Sequence, residues 1–320
     1  MRRFIVLGVI ILGVFAVSSA WAQKTVRLSI ATGGTGGVYY PMGGGMASIL
    51  SKYIPYAEAT AEVTTASVDN CLLVGKQKAE LAFIMADTGW DAYMGKAQFK
   101  EKVALRTLAV LYPNNMHVVT VEGNGIDKMA DLKGKRVSTG APGSGTEIMA
   151  LRVIEASGLD PNRDMSRDKL GASESAGALK DRKIDAFFWV GGLPTAAVID
   201  LAATPGVKIK LIGHGDTVSK MREKYGPIYI KWNIPSNTYP GQEAEVPIAV
   251  VWNILVCHEK MKGDLAYDIL KTVFDHKAEL VASHRDARYI FLESQAGGAS
   301  PIPFHPGAIR YYAEKGVKVK

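Results

Sequence analysis

Metal and redox chemistry have few residues to work with in this sequence. Two cysteines and six histidines are scattered over 320 residues. The histidines (His117, His214, His258, His276, His284 and His305) form no HExxH run and no pair at metal-ligand spacing, so no metal site is expected. Cys71 and Cys257 could close one disulfide in an oxidising compartment or remain as two buried thiols. The basic surplus of +7 is spread thinly, without a block of five or six like charges, which removes support for nucleic-acid binding. Nucleotide and nucleophile signatures fail as well. The run Gly34-Thr35-Gly36-Gly37-Val38-Tyr39 carries tyrosine where a dinucleotide loop needs its third glycine, and no Gly-Lys-Ser/Thr follows. Pro142 occupies the first glycine position of a G-x-S-x-G elbow around Ser144. Nothing selects a reaction, and no cofactor or catalytic residue is expected.

The amino terminus, by contrast, is informative. Met1-Arg2-Arg3 precedes a nearly pure apolar run over residues 4–16, and Ala20-Trp21-Ala22 places small residues at −3 and −1 of a cleavage point before Gln23. This pattern predicts a secretory signal peptide over residues 1–22 and a periplasmic protein. An uncleaved anchor is the alternative, since residues 4–22 approach the length of a spanning helix. Removing Arg2 and Arg3 lowers the net charge from +7 to +5. About 300 residues then remain, enough for one large or two medium domains.

Strand and helix patterns alternate through that remainder. Residues 25–31, 61–66, 81–86, 106–112 and 116–122 read as strands, with the last two separated at Pro113-Asn114-Asn115. Residues 41–53, 69–78 and a stretch from Asp87 read as helices. A second series follows: strands at 136–139, 184–189 and 207–213, a helix ending at Gly158, a long apolar strand over 246–258 and a helix over 263–283. Such alternation predicts an α/β fold of two lobes, each a mainly parallel sheet flanked by helices. The first lobe is expected from residues 23–116 plus 247–320, and the second from residues 117–246.

In open parallel sheets ligands bind beyond the carboxyl ends of the strands. Four stretches fall there: TGGTGGVYYPMGGGMA (residues 32–47), ADTGW (86–90), GAPGSGTE (140–147) and VGGLPT (190–195). The first spends seven of its sixteen residues on glycine. Glycine at a strand-to-helix turn lets amides approach an anion, and the helix start adds partial positive charge. Ser144 and Thr146 can donate to a carboxylate while capping a helix. Tyr39, Tyr40 and Trp189 are candidate walls. Two loops come from each lobe, so a cleft between lobes would be lined from both sides. Asp87 and Asp185 are the general-base candidates for an alternative reading as a periplasmic α/β enzyme.

The segments IATGGTGGVYYPMGGGMA, DLKGKRVSTGAPGSGTE, DAFFWVGGLPT and FHPGAIRYYAEKG together resemble the TAXI-type solute-binding proteins of TRAP (tripartite ATP-independent periplasmic) transporters. The resemblance implies a type II periplasmic-binding-protein fold and a receptor that closes on a small organic anion, glutamate-like or a 2-oxoacid dicarboxylate. It implies delivery to TRAP membrane permease subunits driven by an ion gradient, and action as a monomer. A ligand-sensing partner of a membrane receptor kinase is a further alternative. Carried over by motif, the implied ligand contacts are Thr32, Gly33, Gly34, Gly37, Tyr40, Thr88, Ser144, Gly145, Thr146, Trp189 and Gly191. None of the four loops contains arginine, so backbone amides and hydroxyls would carry a carboxylate's charge. The segment PIPFHPGAIRYYAEKG is expected to dock the carboxyl terminus on the first lobe.

Overall fold

A computed structural model describes residues 25–298 and 300–319; the leader read over residues 1–22 lies outside them. The chain opens with β1 (Val26–Ala31), α1 (Tyr39–Tyr53), β2 (Ala57–Glu62), α2 (Ser67–Gly75), β3 (Leu81–Met85), α3 (Ala86–Met94) and the long β4 (Leu105–Val121). It continues through β5 (Arg136–Ser138), α4 (Gly145–Ala156), β6 (Ser166–Asp168), α5 (Ala172–Lys180), β7 (Ala186–Gly191) and α6 (Ala196–Ala202). Then come β8 (Ile209–Leu211), α7 (Val218–Tyr225), β9 (Ile230–Ile234) and β10 (Val246–His258). The last helices are α8 (Gly263–Asp275), α9 (Lys277–Ser283), α10 (Leu292–Ala296) and α11 (Pro306–Glu314). No helix among the described residues is long and apolar enough to cross a membrane.

The sheet runs β2-β1-β3-β10-β4-β7-β5-β6, with β8 beside β4 and β9 beside β10. Its two flanks are parallel: β2-β1-β3 at one end and β7-β5-β6 at the other. Two long antiparallel strands join them. β4 pairs with β10 from Leu105 to Asn115 and with β7 from Asn115 to Thr120. The apolar run of β3 is buried at every position, as expected of a strand covered on both faces. β2 alternates between burial and exposure, as a flanking strand should.

Three sequence readings are corrected. The break expected at Pro113 does not occur, and β4 runs through it. Between Val110 and Pro113 the strand carries one residue more than β10 does between Trp252 and Ile254. This bulge absorbs a position where proline offers no ladder donor. The strand read at residues 61–66 lies earlier, at Ala57–Glu62. Thr64 diverts the following segment into a turn: its Oγ donates toward Thr32 O at 3.1 Å and accepts from the Ala66 amide at 3.0 Å. Ala66 then adopts φ 81°. Finally, the helix read over residues 263–283 divides at His276, whose ring stacks on Tyr53 with centroids 3.5 Å apart. Cys71 and Cys257 are free and buried, with no disulfide between them.

Two interior histidines make the fold acid-sensitive. His117 Nε2 lies 2.8 Å from the Tyr239 hydroxyl, and His214 Nδ1 lies 3.0 Å from Ile212 O. Burial pushes both imidazoles from the ordinary 6.5 down to about 4. The unfolded chain therefore takes up protons first as acid is added. Their stabilising contribution is complete above pH 6.5 and is lost as pH falls from 6.5 toward 4. Each histidine accounts for a loss of up to about 3 kcal/mol. Urea midpoints should therefore fall steeply between pH 7 and pH 4.5, and a flat profile would contradict neutral burial of these side chains.

Candidate functional site

Four helices begin at one place. Tyr39 of α1, Ser67 of α2, Gly145 of α4 and Ala172 of α5 each open a helix and all line a single cavity of about 320 Å³. Two of these helices follow strands of the β2-β1-β3 flank and two follow strands of the β7-β5-β6 flank. The volume lies at the lower end of the range for small-molecule sites, roughly 300–1,000 Å³.

The helix starts are unequal. Ser144 caps α4, its Oγ accepting from the Glu147 amide at 3.1 Å and donating to Ala141 O at 2.6 Å. The residues preceding the other three helices, Val38, Ala66 and Gly171, provide no side-chain cap. Uncapped first turns at α1 and α5 leave amide donors for an external acceptor, whereas Gly143 O takes the Val68 and Asp69 amides of α2; the helix dipoles give a bound acceptor a preference for negative charge. Lysine, arginine and histidine are absent from the described lining, where the exposed Glu174 is the one acidic side chain. Each helix start contributes about 0.3–2 kcal/mol toward a bound anion. Four of them approach the ~8 kcal/mol of a micromolar complex only at their upper limit. Direct hydrogen bonds and exclusion of water must therefore supply much of the binding.

Close contact across the cavity provides that exclusion. The indole of Trp189 on β7 lies over the backbone of Gly37, where an added Cβ would stand 2.9 Å from the ring. The Trp189 Nε1–H donates to Thr195 Oγ at 3.0 Å, which fixes the plane of the wall. On the opposite side, a Cβ on Gly145 would lie 2.5 Å from Met85 Sδ and 2.8 Å from Ser67 Oγ. The amides of Val68 and Asp69 donate to Gly143 O at 3.1 and 3.4 Å. The dense glycine thus has two uses: it exposes amides, and it lets the two flanks meet.

The floor consists of Tyr39, Ser67, Met85, Tyr112 and Asn114, all buried. The Tyr39 hydroxyl donates to Asn253 Oδ1. Burial raises the Tyr39 and Tyr112 phenols far above the ordinary tyrosine value, so both remain protonated.

The structure brings Gly33, Gly34, Gly37, Ser144, Gly145, Thr146, Trp189 and Gly191 together on the cavity wall. Thr32, Tyr40 and Thr88 lie elsewhere. Thr32 is fully buried and its hydroxyl donates to Glu62 O at 2.6 Å, which ties β1 to β2. Tyr40 is one helical step beyond Tyr39 and points outward, 37% exposed. The Thr88 amide donates to Asp87 Oδ1 at 2.7 Å, inside α3. Two contributing turns were not read from the sequence, residues 63–67 and 171–174, nor were Tyr112 and Asn114 on β4. The polar pair Asn114-Asn115 within an apolar strand was the available signal.

Both candidate bases are engaged in ion pairs. Asp87 is fully buried, accepts from Tyr229 Oη at 2.8 Å and lies 3.5 Å from Arg152, which also pairs with Asp91. Asp185 accepts from Arg136 Nη2 at 2.8 Å and from its backbone amide at 2.8 Å, a pairing that holds its carboxyl below the usual range. Neither lines the cavity.

A central mixed sheet flanked by helices, with the cavity at the carboxyl ends of its parallel strands, defines the type II periplasmic-binding-protein fold. Residues 30–316 match the NMT1-like family, and the chain belongs to it. Among solved structures, a binding-protein component of an ABC phosphonate transporter from Pseudomonas aeruginosa is similar over 82% of this chain and 79% of its own, at 12% identity and a TM-score of 0.55. The alkanesulfonate-binding protein SsuA from Xanthomonas axonopodis pv. citri, bound to MOPS, is similar over 91% and 85%, at 16% identity and a TM-score of 0.50. At these identities the likeness is one of fold.

The Gly37–Trp189 contact generates a direct expectation. Gly37→Ala should keep the flanks apart and weaken ligand binding by about tenfold or more, the effect of roughly 1.4 kcal/mol. Its melting temperature should stay close to that of the parent protein. Unchanged affinity by calorimetry would show that the contact is not part of the bound state.

Proposed function

We propose that this protein is a non-catalytic periplasmic receptor that closes on one small organic anion and surrenders it to a membrane permease. The convergence of four helix starts on a single cavity carries the proposal. Donors of this kind attract negative charge, and the two aspartates that could have served as bases are paired with arginine. The two solved structures described above belong to an alkanesulfonate receptor and a phosphonate transporter, both concerned with small anions. We take residues 1–22 as the export leader. The moving units are the lobes 23–116 plus 247–320 and 117–246, with β4 and β10 as the strands that connect them. The TAXI-like segments support a permease of the TRAP type, whereas the fold is shared with a component of an ABC transporter.

Within the site, Gly33, Gly34, Gly37, Gly145 and Thr146 supply ligand contacts, with Trp189 and Gly191 as walls. The Ser144 hydroxyl serves the helix and contributes through its position.

Calorimetric titration against carboxylates, phosphonates, sulfonates and amino acids tests this reading, together with mass spectrometry of material that co-purifies. The expected result is one unaltered anion bound near one equivalent, with compaction of the protein in small-angle scattering. Turnover of any of these compounds, or silence across all of them, would defeat the receptor assignment.

A further inference from the structure

The deep end of the cavity is built differently from its mouth. Amides and small hydroxyls surround the helix starts, but the floor carries two side chains from β4 whose polar atoms have no partner. Tyr112 is fully buried and Asn114 is 2% exposed. The Tyr112 hydroxyl and the Asn114 side-chain oxygen accept and donate no hydrogen bond within the protein. Burying such groups unpaired costs about 1–3 kcal/mol each. The fold tolerates them here because the same face of the strand lines the cavity. The extra residue in β4 between Val110 and Pro113 lies beside them, and bulges are common next to binding sites.

A second negative group stands behind this floor. A Cβ at Gly192 would lie 2.5 Å from Asp286 Oδ2 and 3.2 Å from Tyr112 Cε2, which places the carboxylate against the tyrosine ring. Asp286 accepts from the Leu193 amide at 2.7 Å, and its other oxygen is unpaired. Burial raises its carboxyl above the usual range, while His284, Arg285 and Arg288 act on it in the opposite direction. The mouth carries Glu174. A ligand therefore meets the helix starts in one part of the cavity and two unpaired polar atoms, one hydroxyl and one acceptor oxygen, in another.

Resting on the receptor reading above, we infer that the ligand is asymmetric: one anionic group at the four helix starts, and an uncharged group that both donates and accepts hydrogen bonds, of carboxamide type, seated on Tyr112 and Asn114. A carboxamide carbonyl would accept from the Tyr112 hydroxyl while its N–H donates to the Asn114 oxygen. Both orphaned atoms are satisfied in one step. A second carboxylate there would set its own acceptor oxygens against the Asn114 oxygen and leave that acceptor unpaired. Tyr112 and Asn114 are thus specificity-determining residues that select against the glutamate-like and 2-oxoacid dicarboxylates implied by family resemblance.

Three matched pairs test this by titration calorimetry: succinamate and succinate, glutaramate and glutarate, glutamine and glutamate. In at least one pair the amide should bind about tenfold more tightly than its acid. Tyr112→Phe should weaken the amide about tenfold and preserve the melting temperature, since the lost hydroxyl had no internal partner. Asn114→Ser provides an independent second variant with the same expected loss. Equal or tighter binding of the acids, silence from every amide, or full amide affinity in both variants overturns this inference. Binding of the acids alone would leave the receptor assignment standing, whereas silence from every anion in the wider panel removes both.

Discussion

An anion brought into a cavity without a cation must be held by dipoles, and dipoles act only at contact range. Every other feature of the site follows from this constraint. The helix starts have to be crowded around one volume, their amides have to be uncovered, and water has to be kept out. The first requirement is met by topology: two parallel flanks present their carboxyl ends to the same cavity, and each sends two helices away from it. The second is met by omission at α1 and α5, since Val38 and Gly171 precede their helices without capping them.

The third requirement explains why glycine and a large aromatic face each other. Trp189 can seal the cavity only if the chain opposite it has no side chain, and Gly37 provides that surface. Met85 and Ser67 pack on Gly145 in the same way at the other side. Exclusion of water strengthens every remaining hydrogen bond, because the same dipole acts in a lower dielectric. The small closing contacts and the weak helix dipoles therefore depend on one another. The long strands β4 and β10 join the flanks, β10 pairing with β3, β4 with β7, and the two with each other.

Much of this arrangement was legible in the sequence. The glycine-rich turns after β1 and β5 and the Trp189-Val190-Gly191 segment stood out because glycine density at a strand end has few other causes. The turn at residues 63–67 was hidden by its β-branched composition: Val63-Thr64-Thr65 reads as strand, and only the local bonding of the Thr64 hydroxyl reveals a turn. Residues 171–174 follow the three-residue strand β6, too short to show a period. Tyr112 and Asn114 were missed for a different reason. Proline between them signals a break, and the bulge that keeps the strand continuous depends on its partner β10, far along the chain. Thr88 and Tyr40 were placed wrongly by one helical step or one buried bond, distinctions that spacing alone does not carry.

Hydrogen–deuterium exchange of the intact protein, with and without the anion that titration identifies, tests the convergence most directly. Amides at residues 36–39, 66–69, 145–147 and 171–174 should slow together when the anion is present. Protection confined to a single turn, or to segments away from all four, would contradict a site made from helix starts of both flanks.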